Sequence, residues 1–441
     1  MSRIKNLFKN YKSDIPAGIV VYFVALPLCL AIAQVSTGQP ELIFSGIIAG
    51  IIGGIIVGFL SGSALGVSGP AAGLVVIVFD GINELSVDGD PFSGFRILLL
   101  AIVFAGFIQL IAGFLKAGVI GHYFPSSVIK GMLAAIGITI ILKELPHALG
   151  YDKDFMGDEA FMQLDGQNTF TEIYYAVIYN SPGAILISIV SLILLIVLER
   201  PLFKKMTIFK YVPGALFVVI IGVLINLSLG SSWQLSGEHL VQLPVAQNLG
   251  DFLSFFRTPD FSAWQNPLVY KVAITIAIIA SIETLLCLEA ADKLDPQKRI
   301  SSGNRELKAQ GVGNIISGLI GGIPVTQVIV RSSANVNSGA KSNLSTIVHG
   351  FVLLLSAIFI PKFINYIPLA CLAAILVLVG YKLAKVSLFK SMYQLGWDQF
   401  IPFTVTVIAI MATDLLKGIA KEWYSHFITS SAPVTRMPIV L

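Results

Sequence analysis

Charge is scarce in this 441-residue sequence: aspartate, glutamate, lysine and arginine make up only 12% of it, about half the share in a soluble globular protein. That deficit excludes a soluble enzyme and a solvated disordered chain. Cysteine is almost absent. Cys29, Cys287 and Cys371 all lie within apolar stretches and have neither metal nor disulfide spacing, so they read as small buried hydrophobes. Histidine is equally sparse; His122, His147 and His349 are scattered without metal-ligand spacing and read as marks of loop or helix ends. No small-residue cleavage pattern follows the basic amino terminus, so no cleavable signal is expected. What is abundant is apolar: 55% of residues are hydrophobic and the mean hydropathy is +0.83. Several apolar runs reach the roughly 18 residues that a membrane-spanning helix needs. The sequence is that of an all-α polytopic membrane protein.

Apolar stretches fall near 16–34, 41–63, 70–82, 95–115, 125–143, 182–199, 213–228, 267–291, 306–322, 324–337, 343–361, 367–381 and 399–417, which makes thirteen spans. The third and the tenth are too short to cross a hydrocarbon core of about 30 Å. Lysine and arginine set the orientation. Arg3, Lys5, Lys9 and Lys12 place the amino terminus in the cytoplasm, and Arg200, Lys204, Lys205, Lys210, Lys293, Lys298, Arg299, Arg305, Lys308, Lys382, Lys385 and Lys390 fall on the same side. Asp80, Glu84, Asp88, Asp90, Asp152, Asp154, Asp158, Glu159 and Asp165 fall on the other.

A repeat links the two halves. Pro16 and Pro267 open the first and eighth spans at an offset of 251; Pro70 and Pro324 stand at the third and tenth, 254 apart; Tyr123-Phe124-Pro125 and Tyr366-Ile367-Pro368 open the fifth and twelfth, 243 apart. Seven spans per unit is an odd number, so the second unit enters from the opposite side: a 7+7 inverted repeat, here shortened to thirteen spans. Chance likeness between hydrophobic helices is the competing explanation.

The short spans carry the chemistry. Gly66-Val67-Ser68-Gly69-Pro70-Ala71-Ala72-Gly73 precedes the third, and Gly321-Gly322-Ile323-Pro324-Val325-Thr326-Gln327 precedes the tenth. Glycine and proline break the helix there, so both spans read as half-helices starting near the bilayer midplane. Two apposed helix starts offer free N–H groups and positive dipole ends to one volume, which is an anion site; simple kinks in packed spans are the alternative. Arg331, inside the tenth span, is costly at membrane depth unless it faces a partner or a wet cavity. It would supply fixed positive charge, or a structural ion pair with Glu283. Glu283, near the middle of the eighth span, must be neutralised or protonated there, and either carries a proton with the substrate or is purely structural. Glu289 and Asp292 read as solvated or paired with nearby lysines, and Asp414 as interfacial. Gly339-Ala340-Lys341-Ser342 lacks the earlier glycine and the strand of a phosphate-binding loop, so nucleotide binding is rejected. No paired catalytic groups, cofactor or metal site, or nucleic-acid partner is expected.

Asp14-Ile15-Pro16-Ala17-Gly18 with Ala25-Leu26-Pro27-Leu28-Cys29-Leu30-Ala31, Ala280-Ser281-Ile282-Glu283-Thr284-Leu285-Leu286, and Gly321 to Thr326 with Arg331-Ser332, Asn335 and Gly339-Ala340-Lys341 resemble the SulP anion transporters. The likeness runs over about 14–417, and the tenth-span motif is its most specific part. The resemblance implies a core domain (spans one to four and eight to eleven, about 14–117 and 267–361) moving against a gate domain (about 118–266 and 362–417) in elevator-like alternating access. Residues 1–13 would be a cytoplasmic amino terminus. By the same resemblance Ser68, Gly69, Ala71 and Ala72 with Val325, Thr326, Gln327, Val328 and Ile329 would hold the anion beside Arg331. Glu283 would be the coupling residue. Cys287 and Ile329 depart from the small or hydroxyl residues of sodium-coupled members, and Glu283 from their aspartate, which favours a proton. Residues 418–441 form an atypical tail where the family has a further span and a STAS domain, so an altered or truncated reading frame is expected. The expected function is secondary active transport of an inorganic anion, sulfate first, by a homodimer in the cell (inner) membrane. A bicarbonate or chloride exchanger or channel, dicarboxylate uptake, and a product without transport are the alternatives.

Overall fold

The structure, a computed structural model, describes residues 8–123, 125–154, 156, 167–200, 213–247 and 249–412. The atypical tail, Asp414, Arg3, Lys5, Lys204, Lys205, Lys210, Asp158, Glu159 and Asp165 lie outside them. A helix occupies each apolar stretch read from the sequence. In the first half these are α1 (Tyr11–Thr37), α2 (Pro40–Leu60), α3 (Val75–Leu85), α4 (Pro91–Phe114) and α5 (Ser126–Leu149). An additional helix, α6 (Thr169–Ile178), meets α7 (Pro182–Leu198) at a bend of 112°, and α8 (Gly214–Ser228) follows. The second half has α9 (Pro267–Leu294), α10 (Gly303–Ile320), α11 (Ile329–Asn337), α12 (Leu344–Phe359), α13 (Leu369–Leu383), α14 (Val386–Gln394) and α15 (Trp397–Ala412). Among the described residues, five helices can cross a membrane by length and composition alone, or six if the bent α6–α7 pair is one span.

The surface is apolar where a soluble protein's would be charged. Ile189, Ile193 and Ile196 on α7, Ile220, Leu224 and Leu227 on α8, and Ile401, Val405 and Ile408 on α15 are exposed at helical spacing. Such stripes face lipid. Serine, threonine, asparagine and glutamine are turned inward instead, as membrane helices require when no water is available to satisfy them.

Packing sorts the helices into two groups. In one, α4 lies along α10 and α9, and α12 along α1; in the other, α5 packs on α13 and α15, and α7 on α13 and α8. Glycine permits the closest approach in each. A Cβ on Gly106 of α4 would lie 2.6 Å from the Gly311 carbonyl of α10, and one on Gly137 of α5 would lie 2.6 Å from the Gly380 carbonyl of α13. Contacts between the groups are fewer and run through α1, α9, α11 and α13. Two clefts open along that seam. One, near the Gln34 end of α1, is bordered by Asp152, Glu238 and Leu369; the other, near the Lys12 end, by Glu199, Ser338 and Lys382.

Candidate functional site

At the middle of the first group the two interrupted segments meet. Ser68–Gly69 (β1) and Thr326–Gln327 (β2) pair as antiparallel strands, Ser68 opposite Gln327 and Gly69 opposite Thr326. Each strand leads into a short helix: β1 through a turn at Ala72–Leu74 into α3, and β2 through Val328 into α11. Thus the half-helix of the third span begins at Val75 rather than Pro70, because the chain between is extended and then tightly wound. The strands are held from all sides. Val328 N–H donates to Val67 O (2.9 Å), Val67 N–H to Ser332 Oγ (2.9 Å), and Gln327 N–H to Thr284 Oγ1 of α9 (3.3 Å). Asn314 of α10 grips Val325 by both its N–H (2.6 Å) and its carbonyl (3.0 Å), and also donates to Gln109 Oε1 (2.7 Å). Gly321, at φ +93°, ends α10 in the left-handed conformation that lets the chain reverse into β2. Ahead of β1, α2 relaxes into a π-turn over Gly53–Val57, and a Cβ at Gly53 would strike the Ser68 carbonyl.

Side chains alternate across the paired strands, so Gly69 and Thr326 share one face while Ser68 and Gln327 share the other. Arg331 occupies the first face. It is fully buried, donates from Nη2 to the Pro70 carbonyl at 3.4 Å, and packs so closely on Gly69 that a Cβ there would overlap Nη1. Its Nε and Nη1 meet no hydrogen-bond partner among the described residues, nor does Thr326 Oγ1. Glu283, buried on α9, faces the start of α3: a Cβ on Gly73 would lie 3.0 Å from its Oε2 and 3.2 Å from its Oε1. The structure therefore brings Arg331, Glu283, Gly69, Thr326 and both helix starts together. It turns the Ser68 hydroxyl the other way, to accept from Gln310 Nε2 at 2.7 Å. The N–H groups of Val325, Gln327 and Val328 are committed as above. Those of the first turns, at Ala72, Gly73, Ile329 and Val330, have no partner within their helices, by helix geometry.

Other residues fall differently from the sequence reading. His349 is not at a helix end but inside α12, fully buried and electrostatically coupled to Arg331; both its ring nitrogens lack hydrogen-bond partners among the described residues. Asp292 accepts from the N–H and hydroxyl of Ser301 (2.6 Å each) rather than from a lysine. His147 does lie at the end of α5, where its Nδ1 meets Asp152 Oδ1 (2.7 Å); His239 Nδ1 meets the other oxygen (2.6 Å). Burial raises the Asp152 pKa, but the hydrogen bonds from His147 and His239 outweigh it and leave it below the ordinary carboxylate value. The Asp152 hydrogen bond raises that of His239. Asn314 and Gln310 were missed; their signal was a run of polar residues, Glu306, Gln310, Asn314 and Ser317, on one face of an apolar span.

Crossed half-helices around a buried arginine, inside a bundle that turns its apolar side outward, define a polytopic membrane transporter. The chain matches the sulfate permease family over residues 11–408 and belongs to it. It is 29% identical over 97% of its length, and 76% of the relative's, to YvdB of Bacillus subtilis, whose name gives sulfate transport as a provisional assignment. To the bicarbonate transporter BicA of Synechocystis it is 26% identical, over 98% and 71% of the two chains. Among solved structures it shares the fold of the transmembrane domain of a cyanobacterial BicA, with a TM-score of 0.65 and 24% identity over 93% of this chain and 98% of that one. The murine Solute Carrier 26 family member A9 anion transporter in the inward-facing state gives 0.63 at 15% identity, over 96% and 69%. The family and its named relatives are membrane transporters of anions and not enzymes.

Proposed function

We propose that this chain is a secondary active transporter of a small inorganic anion, sulfate first, coupled to a proton. The observation that carries the reading is Arg331: a fully buried guanidinium whose Nε and Nη1 lack partners among the described residues, beside two helix starts. A buried cation with open donors, flanked by the positive ends of α3 and α11, suits an anion that completes both its charge and its hydrogen bonds. The anion would take the first-turn N–H groups of Ala72, Gly73, Ile329 and Val330, with Gly69, Ala71 and Thr326 lining the face that Arg331 occupies. Ser68, Val325, Gln327 and Val328 would shape the crossing from behind. Antiparallel pairing of equivalent segments is the arrangement an inverted repeat calls for, which supports that reading of the sequence.

Glu283 faces the same helix start as the anion. A proton taken there would offset the negative charge arriving at Arg331, which is how the two would be coupled. The α1–α4 and α9–α12 group would serve as the moving core and the rest as the gate, the two clefts along their seam giving access from either side. Bicarbonate is the second reading, favoured by the BicA relatives. Uptake of labelled sulfate and bicarbonate into proteoliposomes separates the two. Glu283→Gln should keep anion binding and lose the dependence of uptake on pH; a variant that retains proton-driven uptake refutes coupling through Glu283.

A further inference from the structure

Helix α6 turns an apolar face outward on the side of the acidic loops. Its one charged residue is Glu172. Thr169, Glu172 and Ala176 are buried, whereas Phe170, Tyr174, Val177 and Ile178 are exposed. The exposed four stand at i, i+4, i+7 and i+8, so they share one face of the helix, opposite the buried three. Aromatic rings continue that face: Tyr174 meets Tyr175 with ring centroids 5.7 Å apart, and Tyr175 meets the exposed Tyr179 at 6.3 Å.

The placing of the helix says what that face meets. Its depth is set by an ion pair: Glu172 Oε2 lies 3.7 Å from Lys143 Nζ of α5, and both side chains are buried. Lys143 is where the apolar stretch 125–143 of α5 ends, so the pair holds α6 at the boundary between hydrocarbon and water. Its direction is set by the bend of 112° into α7. A helix turned that far from one that crosses the bilayer runs nearly along the membrane surface. The chain passes from the exposed Ile178 and Tyr179 straight into α7, whose lipid-facing stripe of Ile189, Ile193 and Ile196 opens at the exposed Leu186. Trp233, also exposed, stands at the same level, because its carbonyl fills the space beside Gly183 in the first turn of α7. Tyrosine and tryptophan gather where a membrane meets water, since the ring is apolar and its edge can hydrogen-bond.

We infer that α6 is an interfacial helix whose partner is the lipid surface on the side of the acidic loops, with Phe170, Tyr174, Val177 and Ile178 sunk about 5–10 Å into the boundary of headgroups and acyl chains. Having no lysine or arginine, it fits a zwitterionic surface and needs no anionic headgroup. Because α6 packs on α5, and α5 on α13 and α15, the contact ties that group of helices to the bilayer. The inference does not depend on which anion is carried, and its test needs no transport. The full chain bearing Tyr174→Cys or Ile178→Cys is labelled with a nitroxide and reconstituted into phosphatidylcholine vesicles. The parent, whose Cys29, Cys287 and Cys371 are buried, gives the background. Relaxation of the label by oxygen, which concentrates in lipid, and by a water-soluble nickel chelate is compared with two references, Ile193→Cys on α7 and Lys153→Cys in an exposed loop. The oxygen-to-nickel ratio on α6 should stand several-fold above that at Lys153 and below that at Ile193. A ratio equal to that at Lys153 puts the face in water and overturns the inference. Low access to both reagents overturns it too, because protein then covers the face, and spin–spin broadening marks that protein as a second copy of the chain. Should either variant fail to reconstitute, Phe170→Cys and Val177→Cys carry the same prediction on the same face.

Discussion

Replacing Arg331 with methionine separates a binding role from a structural one. The side chain is fully buried and, among the described residues, makes one long hydrogen bond, to the Pro70 carbonyl at 3.4 Å. Against a bound anion at about 4 Å, with an effective dielectric of about 20, one unit charge contributes about 4 kcal/mol before desolvation. A charge-assisted hydrogen bond measured by mutation is worth roughly 1.5–3 kcal/mol. Arg331→Met should therefore weaken anion binding by about 2–4 kcal/mol, roughly thirty- to seven-hundred-fold. Without anion, removing an incompletely paired buried charge in favour of an apolar chain of similar length is neutral or stabilising. The Tm of the variant should then equal or exceed that of the parent. Labelled sulfate and bicarbonate binding to purified protein, with a melting curve on the same sample, reads both quantities. Affinity within about threefold of the parent, or a Tm lower by more than about 5 °C, would refute the assignment.

Gly69→Ala places a methyl where Arg331 Nη1 now lies, so the guanidinium must move and anion affinity should fall on the order of tenfold or more; equilibrium binding checks it. Asn314→Leu strips Val325 of its N–H acceptor and leaves Gln109 Oε1 without its donor, and should cost about 2–4 kcal/mol of stability, seen as a lower Tm even without anion. The His239–Asp152 pair predicts a pH-dependent contribution of the opposite sense to a carboxylate's. Because the His239 pKa is raised in the folded state, its stabilisation is full below the unfolded value of about 6.5 and is lost as pH climbs through the folded value. The Tm gap between the parent and His239→Ala should thus be widest in mild acid and close in alkali; a gap that widens with pH contradicts the pairing.

The apolar stretches, the two interruptions and the placing of Arg331 were legible because each violates a simple expectation: a run long enough to span, a helix broken by proline and glycine, a charge where none should be. What was not legible depends on residues far apart in the chain. The pairing of Ser68 with Gln327 carries no local signal, since two residues of extended chain look like any turn. It alone decides that the Ser68 hydroxyl faces Gln310 while Gly69 faces Arg331. The polar face of α10 was visible as composition, but nothing in the sequence said that Asn314 would meet Val325. His349 looked like a loop marker because histidine favours water, and its burial inside α12 follows from the packing of that helix against α1 and α2. The short amphipathic α6 was hidden in a polar connection, being too brief for a hydropathy signal.

The central claim is that a buried arginine between two helix starts lets this chain move an inorganic anion uphill. Proteoliposomes holding the purified chain, given labelled sulfate or bicarbonate under an inward proton gradient, test it against matched vesicles holding Arg331→Ala. Accumulation of one anion above equilibrium, abolished by the substitution and by collapsing the gradient, is the predicted result. Accumulation that survives loss of the arginine, or none of either anion with correctly inserted protein, would contradict it.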